Sequence, residues 1–344
     1  YRGKMEPERD FITFALFVSY FPQLVAGPIE RADNLLPQLK KEQVFRYDQA
    51  AHGVRLMVWG FFKKCVCAAY LSRLADAVYN DVSYASGGAA ALATAAFALQ
   101  IYCDFGGYSD IARGCSEMMG VELMVNFKAP YFALSMRDFW KRWHISLTSW
   151  FREYVYFPLG GSRRGFARTL RNTLIVFALS GLWHGASWTF VAWGLLHALY
   201  LCAELIWNRL RRNAPKVPGP CCKALLLLKT FVLACIAWTF FRADTMADAL
   251  AVLGAAFAGL RHPLTWMQDA WHLLTAGGTL TAAITVFSVL VLLLGDLLDE
   301  KNDAMAAVGR LRPAARYVLY VVFLLGILLL IPKTTAAPFI YFQF

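Results

Sequence analysis

The chain has 344 residues, of which 58% are hydrophobic and only 17% charged, and its formal net charge is +11. A soluble globular domain carries about 25% charged residues, and the mean hydropathy of +0.46 excludes that class in favour of an all-α polytopic integral membrane protein in the lipid bilayer. The basic residues sit in short clusters between apolar runs, as cytoplasmic loops do, so nucleic acid is not an expected partner.

The chain opens on charge at Tyr1-Arg2-Gly3-Lys4, and the apolar run Phe11 to Ile29 lacks a cleavage signature, so no signal peptide is expected. That run is interrupted by Pro22 and Pro28 and holds Gln23 at depth, which requires irregular backbone buried in protein or lining a cavity. A polar, basic segment covers Glu30 to Arg46. Gly53 to Val78 reads as an apolar helix in which Lys63-Lys64 either snorkels or marks an end. Ala-rich Gly87 to Cys103 reads as a span entering Asp104-Phe105-Gly106-Gly107-Tyr108-Ser109-Asp110. The glycine pair predicts an elbow there, with Asp104 and Asp110 either capping helices or serving chemistry.

From Ala133 to Gly161, one continuous helix would place Arg137, Lys141, His144, Thr148 and Arg152 on one face and Phe139, Trp143, Leu147, Trp150 and Tyr154 on the other. This predicts an amphipathic helix near the membrane plane. Its basic face is either a wet anchor or the entrance for an anionic cytosolic ligand, with His144 deeper in the cleft. Arg163, Arg164, Arg168 and Arg171 follow as a cytoplasmic loop. The apolar run Asn172 to Trp207 is bounded by basic clusters at both ends, which favours two helices turning near His184-Gly185. Gly181-x-x-x-Gly185 permits close helix approach beside the histidine.

His184 is the lead catalytic candidate, because an imidazole among Trp, Leu, Gly and Ala must find partners elsewhere or perform a task. His197 is expected to be a packing histidine. Further spans are predicted over Ala224 to Phe241, Leu280 to Leu298 and Tyr317 to Ile331, with Met246 to Leu260 an Ala-rich helix and Arg261 to Leu274 an interfacial segment. The spans leave the aromatic tail, residues 332–344, outside the cytoplasm, with Tyr341 its only Tyr hydroxyl. The eight cysteines show no metal-ligand spacing with histidine and read as small buried hydrophobes, so no metal site is expected.

Six segments resemble the membrane-bound O-acyltransferase family, and within it the bacterial alginate O-acetyltransferase type. They are Pro22-Gln23-Leu24-Val25-Ala26-Gly27-Pro28-Ile29, Gly60-Phe61-Phe62-Lys63-Lys64, Gln100 to Asp110, Asp138 to Leu147, Tyr156-Phe157-Pro158-Leu159-Gly160-Gly161 and Gly181-Leu182-Trp183-His184-Gly185-Ala186. The resemblance implies a bundle with irregular, re-entrant and interfacial helices around a funnel or tunnel. It implies one acyltransferase domain over residues 1–344, with a motif-bearing core at 11–207 and C-terminal membrane helices at 208–331, lacking the family's N-terminal helices.

The resemblance further implies that His184 is catalytic, that His144 is a second active-site residue and that Tyr341 is an acyl relay. The expected donor is acetyl-CoA, with no bound cofactor, and Lys141, Arg142 and Arg152 are candidate contacts for its phosphates. Asp104 and Asp110 are also carried as candidate substrate-binding residues. The expected partner is a separate extracytoplasmic polysaccharide acetyltransferase, and the expected location is the bacterial cytoplasmic membrane. D-alanyl transfer to teichoic acid is the alternative within the same fold, and a transporter or flippase the alternative from another class.

Overall fold

In the computed structural model, residues 6–211, 219–301 and 303–332 are described. Among them the regular structure is helical: α1 (Phe11–Ser19), α2 (Phe21–Leu24), α3 (Ala32–Lys40), α4 (Tyr47–Phe61), α5 (Ala68–Tyr79), α6 (Gly87–Met118), α7 (Met136–Arg142), α8 (Ile145–Phe151), α9 (Phe166–His184), α10 (Trp188–Leu210), α11 (Pro220–Arg242), α12 (Met246–Ala258), α13 (Pro263–Thr275), α14 (Thr279–Lys301), α15 (Ala304–Gly309) and α16 (Pro313–Leu330). Two π-helical stretches, Phe62–Cys67 and Arg152–Tyr156, follow α4 and α8 directly. Helix starts follow ordinary chemistry. Ser135 and Thr245 accept from the backbone N–H groups of Asp138 and Asp248, and Pro220, Pro263 and Pro313 open α11, α13 and α16.

Among the described residues, five helices are long and apolar enough to cross a membrane: α6, α10, α11, α14 and α16. The chain is a multi-pass membrane protein. Helix α6 is the hub, packing against α4, α5, α11, α12 and α13. Its 32 residues extend over about 48 Å at 1.5 Å per residue, more than the roughly 30 Å hydrocarbon thickness. Helix α16 lies at the periphery, with Leu328 and Leu329 exposed in the isolated chain, as a lipid-facing helix requires.

Four sequence expectations are corrected here. No elbow interrupts Asp104 to Asp110, because α6 runs through it without a break. A Cβ on Gly107 would approach the Gly60 carbonyl oxygen at 2.7 Å, and one on Gly60 would approach the Gly107 oxygen at 2.6 Å. Gly53 and Gly114 form a second reciprocal pair, so α4 and α6 cross antiparallel along a glycine seam. Gly107 therefore serves backbone approach, not a turn.

Lys63 does not snorkel or end a helix. The rod α4–α5 continues through the π-helical stretch, where Lys63 is buried and pairs with Asp110 while Lys64 pairs with Asp104. These two carboxylates thus bridge helices and do not cap them. Tyr102 adds a hydrogen bond to Asp296 of α14 at 2.8 Å. Cys221 and Cys222 are exposed, unlike the buried hydrophobes expected of all the cysteines.

The fourth correction is the long amphipathic helix. Trp143 and His144 break it into α7 and α8, and His144 takes the left-handed backbone conformation, with φ +42°. The reason is non-local. Ile145 N–H donates to the Asn126 carbonyl at 3.0 Å, and Lys128 N–H donates to the Arg142 carbonyl at 3.0 Å, so the incoming loop replaces helical hydrogen bonding.

Candidate functional site

The predicted turn between two helices is present. Helix α9 ends at His184, and Ser187 caps α10 by accepting from Thr189 N–H at 3.3 Å. A Cβ at Gly181 would run into the Phe190 carbonyl, so this glycine lets α9 and α10 approach closely next to the histidine. At Gly185 a Cβ would meet the Phe190 ring at 2.5 Å.

His184 is surrounded by rings. Its centroid lies 4.9 Å from Trp183, 5.0 Å from Trp193 and 5.3 Å from Phe241, each near perpendicular. Trp193 and Phe241 are buried and hold the back of the site, whereas Trp183 is half exposed. The second histidine enters from the break between α7 and α8. His144 is 3% exposed and lies 6.4 Å from the Trp183 ring and 4.8 Å from Phe105. Burial, and after it the nearby His184, pushes the His144 imidazole well below the ordinary histidine pKa. The structure therefore brings His144 and His184 to one aromatic chamber, in which a neutral imidazole can exchange a proton with a reacting hydroxyl.

His197 reaches the same wall. Its Nδ1 accepts from Trp140 Nε1–H at 3.3 Å, and its ring stacks on Phe139 at 6.1 Å and lies 5.2 Å from Trp193. It is fully buried packing behind the chamber, as its apolar setting suggests.

The basic candidates divide. Lys141 and Arg152 are exposed. Arg142 is committed to Asp138 at 3.0 Å and to Glu300 at the end of α14, which ties α7 to that span. Asp104 and Asp110 are occupied by the lysines described above. Tyr341 lies outside the described residues. No group of three or more His, Cys, Asp or Glu arranged to hold a metal ion occurs among the described residues.

One residue of the chamber was missed from sequence. Asn126, 1% exposed, holds the His144 turn through its side chain as well as its backbone. Its only signal was a polar amide between Val125 and Phe127 in an apolar stretch.

Comparisons with known proteins agree with this architecture. The model of "MBOAT, membrane-bound O-acyltransferase family" matches residues 8–252. The chain is 40% identical to the "Peptidoglycan O-acetyltransferase" of Helicobacter pylori over 71% of this chain and 46% of that protein. It is 34% identical to the "Probable alginate O-acetylase AlgI" of Pseudomonas putida over 100% of this chain and 71% of that protein. A "Teichoic acid D-alanyltransferase" of Streptococcus thermophilus is similar at 29% over 60% of this chain and 52% of its own length. The chain thus spans about half the length of two of these relatives, and the region matched by the family model contains both α7–α8 and the α9–α10 turn. With that match and the two histidines on one chamber, the chain belongs to the membrane-bound O-acyltransferase family.

Proposed function

We propose that this chain carries the acyl-transfer centre of a membrane O-acyltransferase, which moves an acetyl group from cytosolic acetyl-CoA towards O-acetylation of an extracytoplasmic polysaccharide such as alginate. The observation that supports this reading best is the convergence of His144 and His184 on Trp183. The names of the two relatives at 34% and 40% identity favour acetyl transfer to a polysaccharide over D-alanyl transfer.

His184 is the general base. It takes the proton of an acceptor hydroxyl as that oxygen attacks the thioester carbonyl; the new C–O bond forms, the C–S bond breaks, and the proton passes from the imidazolium to the leaving thiolate. A neutral imidazole suits this exchange, since its ordinary pKa of about 6.5 lies near working pH. His144 lines the same chamber and handles the acceptor. Lys141 and Arg152, exposed on the α7–α8 side, are the basic groups free to meet the phosphates of coenzyme A, while Arg142 holds α7 in place. Tyr341 is the first acceptor, and an extracytoplasmic transferase receives the acetyl group from it. The protein works in the bacterial inner membrane.

The test is to supply membranes containing the full-length protein with isotope-labelled acetyl-CoA or with a labelled D-alanyl carrier protein. Label from acetyl-CoA is expected to become covalently attached to the protein and to be lost in Tyr341→Phe. Preference for the D-alanyl carrier contradicts acetyl transfer, and flux across the membrane without covalent labelling points to a transporter.

A further inference from the structure

Asn126 Oδ1 is met by three donors or potential donors: Ser146 N–H at 3.3 Å, Ser146 Oγ at 2.9 Å and His144 Nδ1 at 3.1 Å. A backbone N–H can only donate, so the Asn126 atom facing Ser146 N is the oxygen, and the amide orientation is fixed. Its Nδ2 correspondingly donates to Ser109 Oγ of α6 at 3.3 Å. An amide oxygen can only accept, so the His144 nitrogen facing it carries the hydrogen, and the lone pair of the neutral ring is on Nε2.

The same asparagine holds the backbone that aims this ring. Its carbonyl accepts from Ile145 N–H at 3.0 Å, next to the left-handed His144. A non-glycine residue in that conformation is strained and persists only when its surroundings over-determine it, as strained residues at functional sites do. The neighbours facing the imidazole are the Phe105, Phe127 and Trp183 rings, and the titratable group whose charge bears on it is His184.

We propose that Asn126 is a positioning residue that locks His144 as its Nδ1–H tautomer, so that Nε2 accepts the hydrogen bond of the acceptor hydroxyl and cannot donate to the oxyanion of the thioester. This rests on the reading that His144 belongs to the acyl-transfer centre. It assigns His144 to the acceptor side of the reaction and leaves oxyanion stabilisation to other donors.

Two measurements test it on the full-length protein. Nitrogen NMR of isotope-labelled histidine, with the His144 signals identified by their loss in His144→Gln, is expected to show the proton on Nδ1; a proton on Nε2 overturns the proposal. This reads the tautomer with no acetyl donor present, so it stands apart from any failure of the proposed function. The second measurement is the pH profile of acetyl transfer. Asn126→Asp keeps the accepting oxygen and adds a negative charge, which favours the imidazolium and is expected to move the acidic limb up by about 1–3 pH units. Asn126→Ala is expected to lower kcat at least about tenfold with the KM for acetyl-CoA little changed. An Asn126→Asp protein that folds and transfers acetyl with an unmoved acidic limb also overturns the proposal, because a charge placed beside Nδ1 must move that limb if the neutral His144 ring accepts the hydroxyl's hydrogen.

Discussion

His144 and His184 share one aromatic neighbour, the Trp183 ring, whose centroid lies 6.4 Å from the first and 4.9 Å from the second. One histidine comes from a helix break and the other from a helix end, so their relative placement depends on this contact. Trp183→Ala is expected to lower acetyl transfer by about ten- to a hundredfold through misplacement, while Trp183→Phe retains most of it. Steady-state rates, normalised to inserted protein, check the pair.

Lys63 and Asp110 form an ion pair between the π-helical stretch and α6, with side chains 4% and 12% exposed. Removing one partner leaves a buried charge without its nearest counter-ion, Arg113 at 3.7 Å being the remaining partner of Asp110, at a cost of up to about 3–5 kcal/mol, whereas removing both costs much less. Lys63→Met and Asp110→Asn are therefore each expected to lower the unfolding midpoint in detergent more than the double variant does. Additive losses in the double-mutant cycle would refute the coupling.

The glycine seam between α4 and α6 predicts an asymmetric response to added methyl groups. Gly107→Ala drives a Cβ against the Gly60 carbonyl and the Lys64 backbone, whereas Gly254 has no neighbour within 4 Å of the corresponding position. Gly107→Ala is expected to destabilise by about 1–3 kcal/mol and Gly254→Ala to be neutral or slightly stabilising. Thermal unfolding of both variants in the same micelle makes the comparison.

His52 joins the ends of three elements, with Nδ1 at 2.5 Å from Glu117 and Nε2 at 3.2 Å from Asp303. The hydrogen bond to Glu117 raises its pKa above the ordinary value, and burial opposes this in part. A raised folded-state pKa means that the stabilisation is complete below about pH 6.5, the unfolded value, and is lost as pH rises through the folded-state value. The unfolding midpoint should fall across that window in the parent protein. In Glu117→Gln this dependence should shrink, and an unchanged slope would count against the pairing.

Some of this was legible in the sequence because its causes are local. Basic clusters flanking Asn172 to Trp207, with Gly185 between them, marked the α9–α10 turn and placed His184 at it. The missed features are those set by distant partners. Helical periodicity from Ala133 to Gly161 is unbroken, and it is the backbone hydrogen bonds of Asn126 and Lys128, outside that window, that break the helix at His144. Gly106-Gly107 carries the same local signal as an elbow, and only Gly60 on the facing helix makes it a seam. Lys63 beside the bilayer would snorkel if alone, but Asp110 on α6 meets it inside the bundle. Asn126 gave the weakest signal of all, since its importance lies in the direction of one amide oxygen.

The central claim is that His184 supplies the base for acyl transfer, and the initial rate of label transfer from acetyl-CoA in His184→Ala membranes tests it most directly. The expected result is a fall of at least about a hundredfold, with the amount of inserted protein and its unfolding midpoint close to those of the parent. Label transfer at the parental rate in that variant would contradict the account.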